Sequence, residues 1–261
     1  MMEKHTQDQV SMGRANASPT GRLASRYPVI DLGLAPYLPV QRLQQDLRHA
    51  VAEKIIEGVI LLAEHPATVT LGKRADFRED VRNPTELIRR GVATVRSERG
   101  GRATLHAPGQ LVIYPVVPVP HRNLRAYVRG LEEMLCLVLK RLGIECHRRP
   151  GFPGLYVHNQ KIASVGLRCE RWVASHGASL NVNVELELFS FIVSCGEPYL
   201  TQTSIQALTG RTYAMDEIKS LCWQEMQTVF AWDLDPPVQA VPKEVKKILA
   251  LPSVLALPTD S

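Results

Sequence analysis

An α+β fold, with a mixed or antiparallel sheet and flanking helices, follows from three features of the chain. Strand-like runs succeed one another directly over 92–117 and again over 144–184. Helical spacing falls in separate blocks, at 39–57 and 123–143 and again at 203–209 and 216–231. The regular strand–helix alternation that a doubly wound parallel sheet needs is missing. With 261 residues, 45% hydrophobic and 22% charged, the chain can bury one substantial core. One domain at 28–235 is therefore expected, between a flexible N-terminal arm at 1–27 and a Pro-rich tail at 236–261.

The elements read in order as follows. Val40, Leu43, Leu47, Val51 and Ile55 recur every three or four residues, which predicts a helix over 39–57 closed by Gly58. Val59–Leu62 is an apolar run that reads as a buried strand, and Ala67–Leu71 is a second that stops at Gly72. Asn83-Pro84 opens a short helix that Gly91 ends. Strands follow at 92–99 and over 103–117, the latter folded back at Ala107-Pro108-Gly109. Asn123 caps a long helix ending at Gly143, with Leu131, Leu135, Val138 and Leu142 on one face. Strands are expected at 144–149, at 154–169 with a turn at His158-Asn159, and at 172–184. Helices are expected at 203–209, 216–231 and, in the tail, 243–250.

Composition narrows the function. No apolar run is long enough to cross a bilayer, and the first 27 residues lack the apolar block of a signal peptide. The five cysteines form no C-x-x-C pair, so neither a zinc site nor a dithiol motif is indicated, and a reducing cytoplasm fits best. The net charge of +5 is concentrated in residues 73–102, with nine Lys/Arg against five Asp/Glu. Phe77 is the single aromatic there, which argues against base stacking and favours an acidic protein partner over nucleic acid. A solvated surface would look the same.

Three clusters could carry chemistry. Arg99-Gly100-Gly101-Arg102 leads through Ala103, Thr104, Leu105 and His106 to the Ala107–Gly109 turn. A double glycine lets backbone amides approach a ligand, and arginines suit a carbonyl, carboxylate or phosphate, although a plain bulged hairpin fits these residues too. Lys161 opens Ile162-Ala163-Ser164-Val165-Gly166, and His176-Gly177-Ala178-Ser179 sets more small residues in a strand, leaving room for a ligand. Lys161 is the lone charge at the head of an apolar segment: it is either a solvated strand end or a partly buried base. The last piece is Cys195. It alone among the cysteines stands between an apolar run and a glycine, where the backbone can turn to expose a thiol. Cys136 and Cys222 fall in helices, and Cys146 and Cys169 in strands. A thiol nucleophile needs a cationic neighbour, which Lys161 could supply; His106 and His176 are the alternatives. No G-x-x-x-x-G-K-[ST] occurs, so a P-loop is excluded.

Together these residues resemble the lipoyl(octanoyl) transferase family. The match runs from Asp31-Leu32-Gly33 and Tyr37 through Glu64–Gly72, Arg99–Gln110, Pro150-Gly151, Lys161–Gly166, His176–Asn183 and Cys195-Gly196 to Thr203-Ser204. Ala107, Ser179 and Ser194 depart from the pattern, which usually has Gly, Ala and Pro there. The resemblance implies a fold similar to the biotin and lipoate protein ligase catalytic domains. It implies that Cys195 carries an acyl thioester and that Lys161 favours its thiolate and acts as general base and acid. Arg99, Gly100, Gly101, Arg102, Ala103, Thr104, Leu105 and His106 would contact the acyl substrate, with Ser164, Val165, Gly166, Gly177, Ala178 and Ser179. The implied reaction moves an octanoyl group from the phosphopantetheine arm of acyl carrier protein to a lysine of lipoyl domains, those of 2-oxoacid dehydrogenases and the glycine cleavage H protein. No further cofactor, metal, membrane or nucleic acid is implied. Burial of Lys161 is expected to bring its pKa down toward neutrality, where a base is useful. A lipoate- or octanoate-protein ligase, an amidotransferase between lipoyl domains and a non-catalytic docking scaffold are the alternatives.

Overall fold

The computed structural model describes residues 26–239. The predicted helix at 243–250, and nearly all of the arm and tail, lie outside these residues. The strands are β1 (Arg26–Tyr27), β2 (Val29–Leu34), β3 (Val59–Glu64), β4 (Thr68–Leu71), β5 (Ala93–Arg96), β6 (Ala103–His106), β7 (Gln110–Val116), β8 (His147–Arg149), β9 (Phe152–Val157), β10 (Gln160–Glu170), β11 (Val173–Asn181), β12 (Thr201–Gln202) and β13 (Asp233–Leu234). The helices are α1 (Tyr37–Ala52), α2 (Phe77–Asp80), α3 (Pro84–Arg89), α4 (Leu124–Arg141), α5 (Ile205–Thr209) and α6 (Met215–Phe230).

The main sheet runs β2-β3-β7-β11-β10-β9-β8, with β12 beside the start of β10. Its neighbours are antiparallel except for β2–β3 and β10–β12. A smaller sheet, β5-β4-β6, stands alongside. The fold class is thus the α+β arrangement that direct strand succession predicts.

Both faces of the main sheet are covered, which explains why β3 is apolar from Val59 to Ala63 rather than alternating. Val59, Leu61 and Ala63 face α1 with Val40, Leu43 and Leu47, whereas Ile60 and Leu62 face the core built on α4 and α6. A third core lies under the small sheet. Asn83 and Asn123 cap α3 and α4 through their side chains, as their positions predict. Among the described residues, no helix is long and apolar enough to cross a membrane.

Several expectations need correction. α1 stops at Ala52, and Ile55 is 70% exposed in the turn beyond it, where Lys54 has positive φ. The strand expected at 144–149 is confined to His147–Arg149, so Cys146 lies in the preceding loop, with its sulfur 3.2 Å from that of Cys136. β1 and β13 pair with each other, and Val238 bridges to Ile30, so the sheet structure reaches past both ends of 28–235.

One irregularity positions the site. β9 pairs β10 only up to Ser164↔Gly154, while β10 continues to Glu170 against β11 alone. Beyond Ser164 the outer edge of β10 has no strand on it, and the loop 99–102 lies there instead, with the Gly100 amide donating to Leu167 O at 2.9 Å.

Candidate active site

Cys195 lies in the single turn Ser194–Gly196, which follows the apolar segment at 186–192. Its φ is +59°, a conformation rarely used by residues with a side chain. The surroundings hold it there. Val193 donates its amide to Asp80 O at 2.8 Å, and Glu197 accepts an ion pair from Arg149 at 2.7 Å. Gly196, with φ +78°, meets the side chain of Arg102 so closely that an added Cβ would lie 2.5 Å from Arg102 Cδ. The half-buried thiol is therefore presented on a braced turn.

Lys161 approaches from the sheet. Its backbone is clasped between β9 and β12, with Thr203 donating to Lys161 O at 2.9 Å. Its side chain is 2% exposed and runs under Gly154, whose φ of +130° and missing side chain make room: a Cβ there would stand 2.7 Å from Lys161 Cε. Nζ lies 3.2 Å from Cys195 Sγ and 5.3 Å from the Tyr156 ring centroid. Arg149 also stacks here, 4.8 Å from the ring centroids of both Tyr156 and Phe152. Cys195, Lys161, Tyr156, Arg149 and Glu197 thus form a closed circuit that returns to the cysteine turn.

The electrostatics of this pair differ from the expectation of a lysine near neutrality. Burial works against the Lys161 ammonium, but the Cys195 sulfur and, behind it, the Tyr156 hydroxyl outweigh burial and hold the lysine above its ordinary value. Lys161 therefore stands as an ammonium 3.2 Å from the Cys195 sulfur.

A cavity of about 620 Å³ opens beside the pair. Of the residues expected to contact an acyl substrate, all but Leu105 line it. Leu105 alternates away from Thr104 and His106 on β6 and is fully buried in the third core. Arg99 and Arg102 do not reach out as expected. Arg99 is buried and donates to Thr70 O at 2.6 Å and Gly100 O at 3.0 Å, tying its loop to β4. Arg102 is engaged by Asp80 at 2.9 Å and by Glu79.

The wall also contains residues whose role is not visible in the sequence, among them Tyr37, Tyr114, Leu124, Val128 and Phe152. Neither alternative histidine partner bonds Cys195. His106 donates through Nδ1 to Gln110 Oε1 at 2.7 Å, and burial holds it well below its ordinary pKa. Burial, with nearby Arg99, takes His176 down to about 3. Behind them His65 donates through Nδ1 to Ala35 O at 2.6 Å and accepts from the Tyr114 hydroxyl at 2.8 Å, and burial lowers it to about 4. All three are neutral imidazoles.

Comparison with known proteins places this geometry. Residues 36–227 match the model of the lipoyl protein ligase A/B catalytic domain. The chain is 37% identical over 206 residues to an octanoyltransferase of Nitratidesulfovibrio vulgaris (strain DSM 19637 / Miyazaki F), covering 78% of this chain and 94% of the relative. It is 38% identical over 192 residues to an octanoyltransferase of Syntrophotalea carbinolica, covering 73% and 88%. Among solved structures, a putative lipoate protein ligase from T. acidophilum with bound lipoic acid superposes with a TM-score of 0.67 at 14% identity, covering 85% of this chain and 92% of that one. A lipoate-protein ligase A bound with ATP gives 0.68 at 13% identity, covering 87% and 92%. The structural likeness fixes the fold, the sequence likeness narrows the membership, and the chain belongs to the lipoyl protein ligase A/B catalytic domain family and, within it, to the octanoyltransferases.

Proposed function

We propose that this enzyme moves an octanoyl group from acyl carrier protein to a lysine of a lipoyl domain, through a thioester on Cys195. The observation that carries the reading is the 3.2 Å contact of Lys161 Nζ with Cys195 Sγ at the side of a cavity sized for a short acyl chain.

The chemistry follows from the charge of the pair. The Cys195 thiolate attacks the donor carbonyl, a C–S bond forms, and the carrier sulfur departs, taking the proton of the Lys161 ammonium. The acyl-enzyme then holds a neutral thioester and a neutral lysine. Acylation removes the Cys195 charge, the largest influence that opposed burial, so burial now favours the neutral amine. An acceptor lysine that has lost one proton to solvent attacks the thioester and passes its second proton to Lys161. The C–N bond forms, the thiolate leaves, and the ammonium–thiolate pair is restored. The first step exchanges one thioester for another and the second makes an amide, so no ATP is consumed.

Intact-mass analysis tests this directly. Octanoyl-carrier protein should add one hydroxylamine-labile acyl group to the enzyme and none to Cys195→Ala, and transfer to a lipoyl domain should proceed without ATP. A labile adduct on Cys195→Ala, or a strict need for ATP with free octanoate, would overturn the proposal.

A further inference from the structure

The cation-rich stretch 73–102 is largely engaged within the fold. Arg82 donates to Pro198 O, Arg89 and Arg90 bind Glu86, and Arg102 binds Asp80 and Glu79. A different set of cations, exposed and outside the cavity lining, stands on the helix that forms part of its rim. Leu124 and Val128, one turn apart on α4, line the cavity, and Leu124 is 37% exposed. Arg125 and Arg129 sit one position further along the helix from each, with Arg122 just ahead of the cap, so an exposed arginine stripe runs beside the apolar rim.

Nothing within the described fold explains that stripe. None of Arg122, Arg125 and Arg129 has a carboxylate partner among the described residues; Glu133, one turn beyond Arg129, is taken by Arg148 at 2.5 Å. The helix itself disfavours the arrangement. Cations near the first turn oppose the helix dipole, that turn holds no acidic residue, and Arg125 and Arg129 repel each other at i,i+4. The cavity wall adds Arg74, Arg99, Arg102 and Lys161 and no Asp or Glu. An opening of this kind complements an anion attached to something apolar and slender.

We infer that Arg122, Arg125 and Arg129 bind the phosphodiester of the donor's phosphopantetheine arm while Leu124 and Val128 guide the arm toward Cys195. This rests on the proposed transfer and assigns its donor-side entrance. Arginine suits the task because its planar fork binds phosphate oxygens two at a time.

The test measures the first half-reaction, acylation of Cys195, in wild type and in the Arg122→Gln/Arg125→Gln/Arg129→Gln variant. Three donors are compared: octanoyl-pantetheine, octanoyl-phosphopantetheine and octanoyl-carrier protein. Lys140→Gln, at the far end of the same helix, controls for loss of charge. The ratio of wild-type to variant kcat/KM should be about tenfold larger for the two phosphorylated donors than for octanoyl-pantetheine, the equivalent of one charge-assisted contact. It should shrink as salt is raised. An equal ratio for all three donors overturns the inference, as does a loss confined to carrier protein, which would assign the stripe to the protein surface. A loss confined to transfer from pre-acylated enzyme to the lipoyl domain assigns it to the acceptor and also overturns it. Wild-type enzyme that none of the donors acylates would instead refute the proposed function.

Discussion

Replacing Lys161 separates its two roles. At 3.2 Å, with an effective dielectric constant of about 20, an ammonium and a thiolate attract by about 5 kcal/mol. Lys161→Met keeps the volume of the buried stem and removes that attraction, so Cys195 should lose most of its reactivity toward iodoacetamide at pH 7 and its acylation by donor. Lys161→Arg retains the charge and part of the acylation, because a carrier thiolate can leave without a proton. It cannot accept a proton near neutrality, so transfer from pre-formed acyl-enzyme to the lipoyl domain should fall about a hundred- to ten-thousand-fold, the usual contribution of a general base. Rapid-quench measurement of each half-reaction by intact mass reports the two rates separately. Near-normal transfer by Lys161→Arg would refute the reasoning.

Three further outcomes are expected. His65 and His176 titrate at about 4 and about 3 in the folded state and His106 is also held low, against about 6.5 when unfolded. The unfolded chain therefore binds the extra protons as pH falls below about 6.5, and stability should drop by about 1.4 kcal/mol per pH unit for each histidine; urea melts unchanged between pH 7.5 and 5 would contradict this. Gly154→Ala forces a side chain onto a φ of +130° and against Lys161 Cε, so a cost of about 1–3 kcal/mol is expected, with transfer reduced beyond the loss of folded protein. Activity that merely tracks the folded fraction would show that Gly154 does not place the lysine. Arg149→Met breaks the Glu197 ion pair and the ring contacts, which should lower acylation about tenfold while the melting temperature changes little, and Arg149→Lys should restore part of the rate. Equal rates in Met and Lys variants would remove Arg149 from the circuit.

The residues most legible in the sequence are those whose local chemistry is unusual. A cysteine before glycine, a lysine opening an apolar strand and a double glycine between arginines all converge on one cavity. Caps were equally plain, as Asn83 and Asn123 show. What stayed hidden depends on partners distant in the chain. β2 reads poorly because Asp31 and Gly33 interrupt its apolar pattern, yet Lys219 answers Asp31 at 2.6 Å from a helix 188 residues further along the chain. Leu105 belongs to a motif by its neighbours but to a core by strand alternation. Nor does the sequence show that the β9–β10 pairing has an early ending, at Ser164↔Gly154, which leaves the edge of β10 to the loop 99–102.

That early ending also bears on how the protein avoids itself. A strand edge without a neighbour is a template on which another chain can add. From Val165 onward β10 offers such an edge, and what blocks it is the Gly100 amide on Leu167 O together with the charges of Arg168 and Glu170. The wall of the cavity and the guard against aggregation are therefore the same loop. Engineering 99–102 to admit a bulkier acyl chain would uncover the edge, so variants selected for altered chain length should be screened for self-association as closely as for turnover.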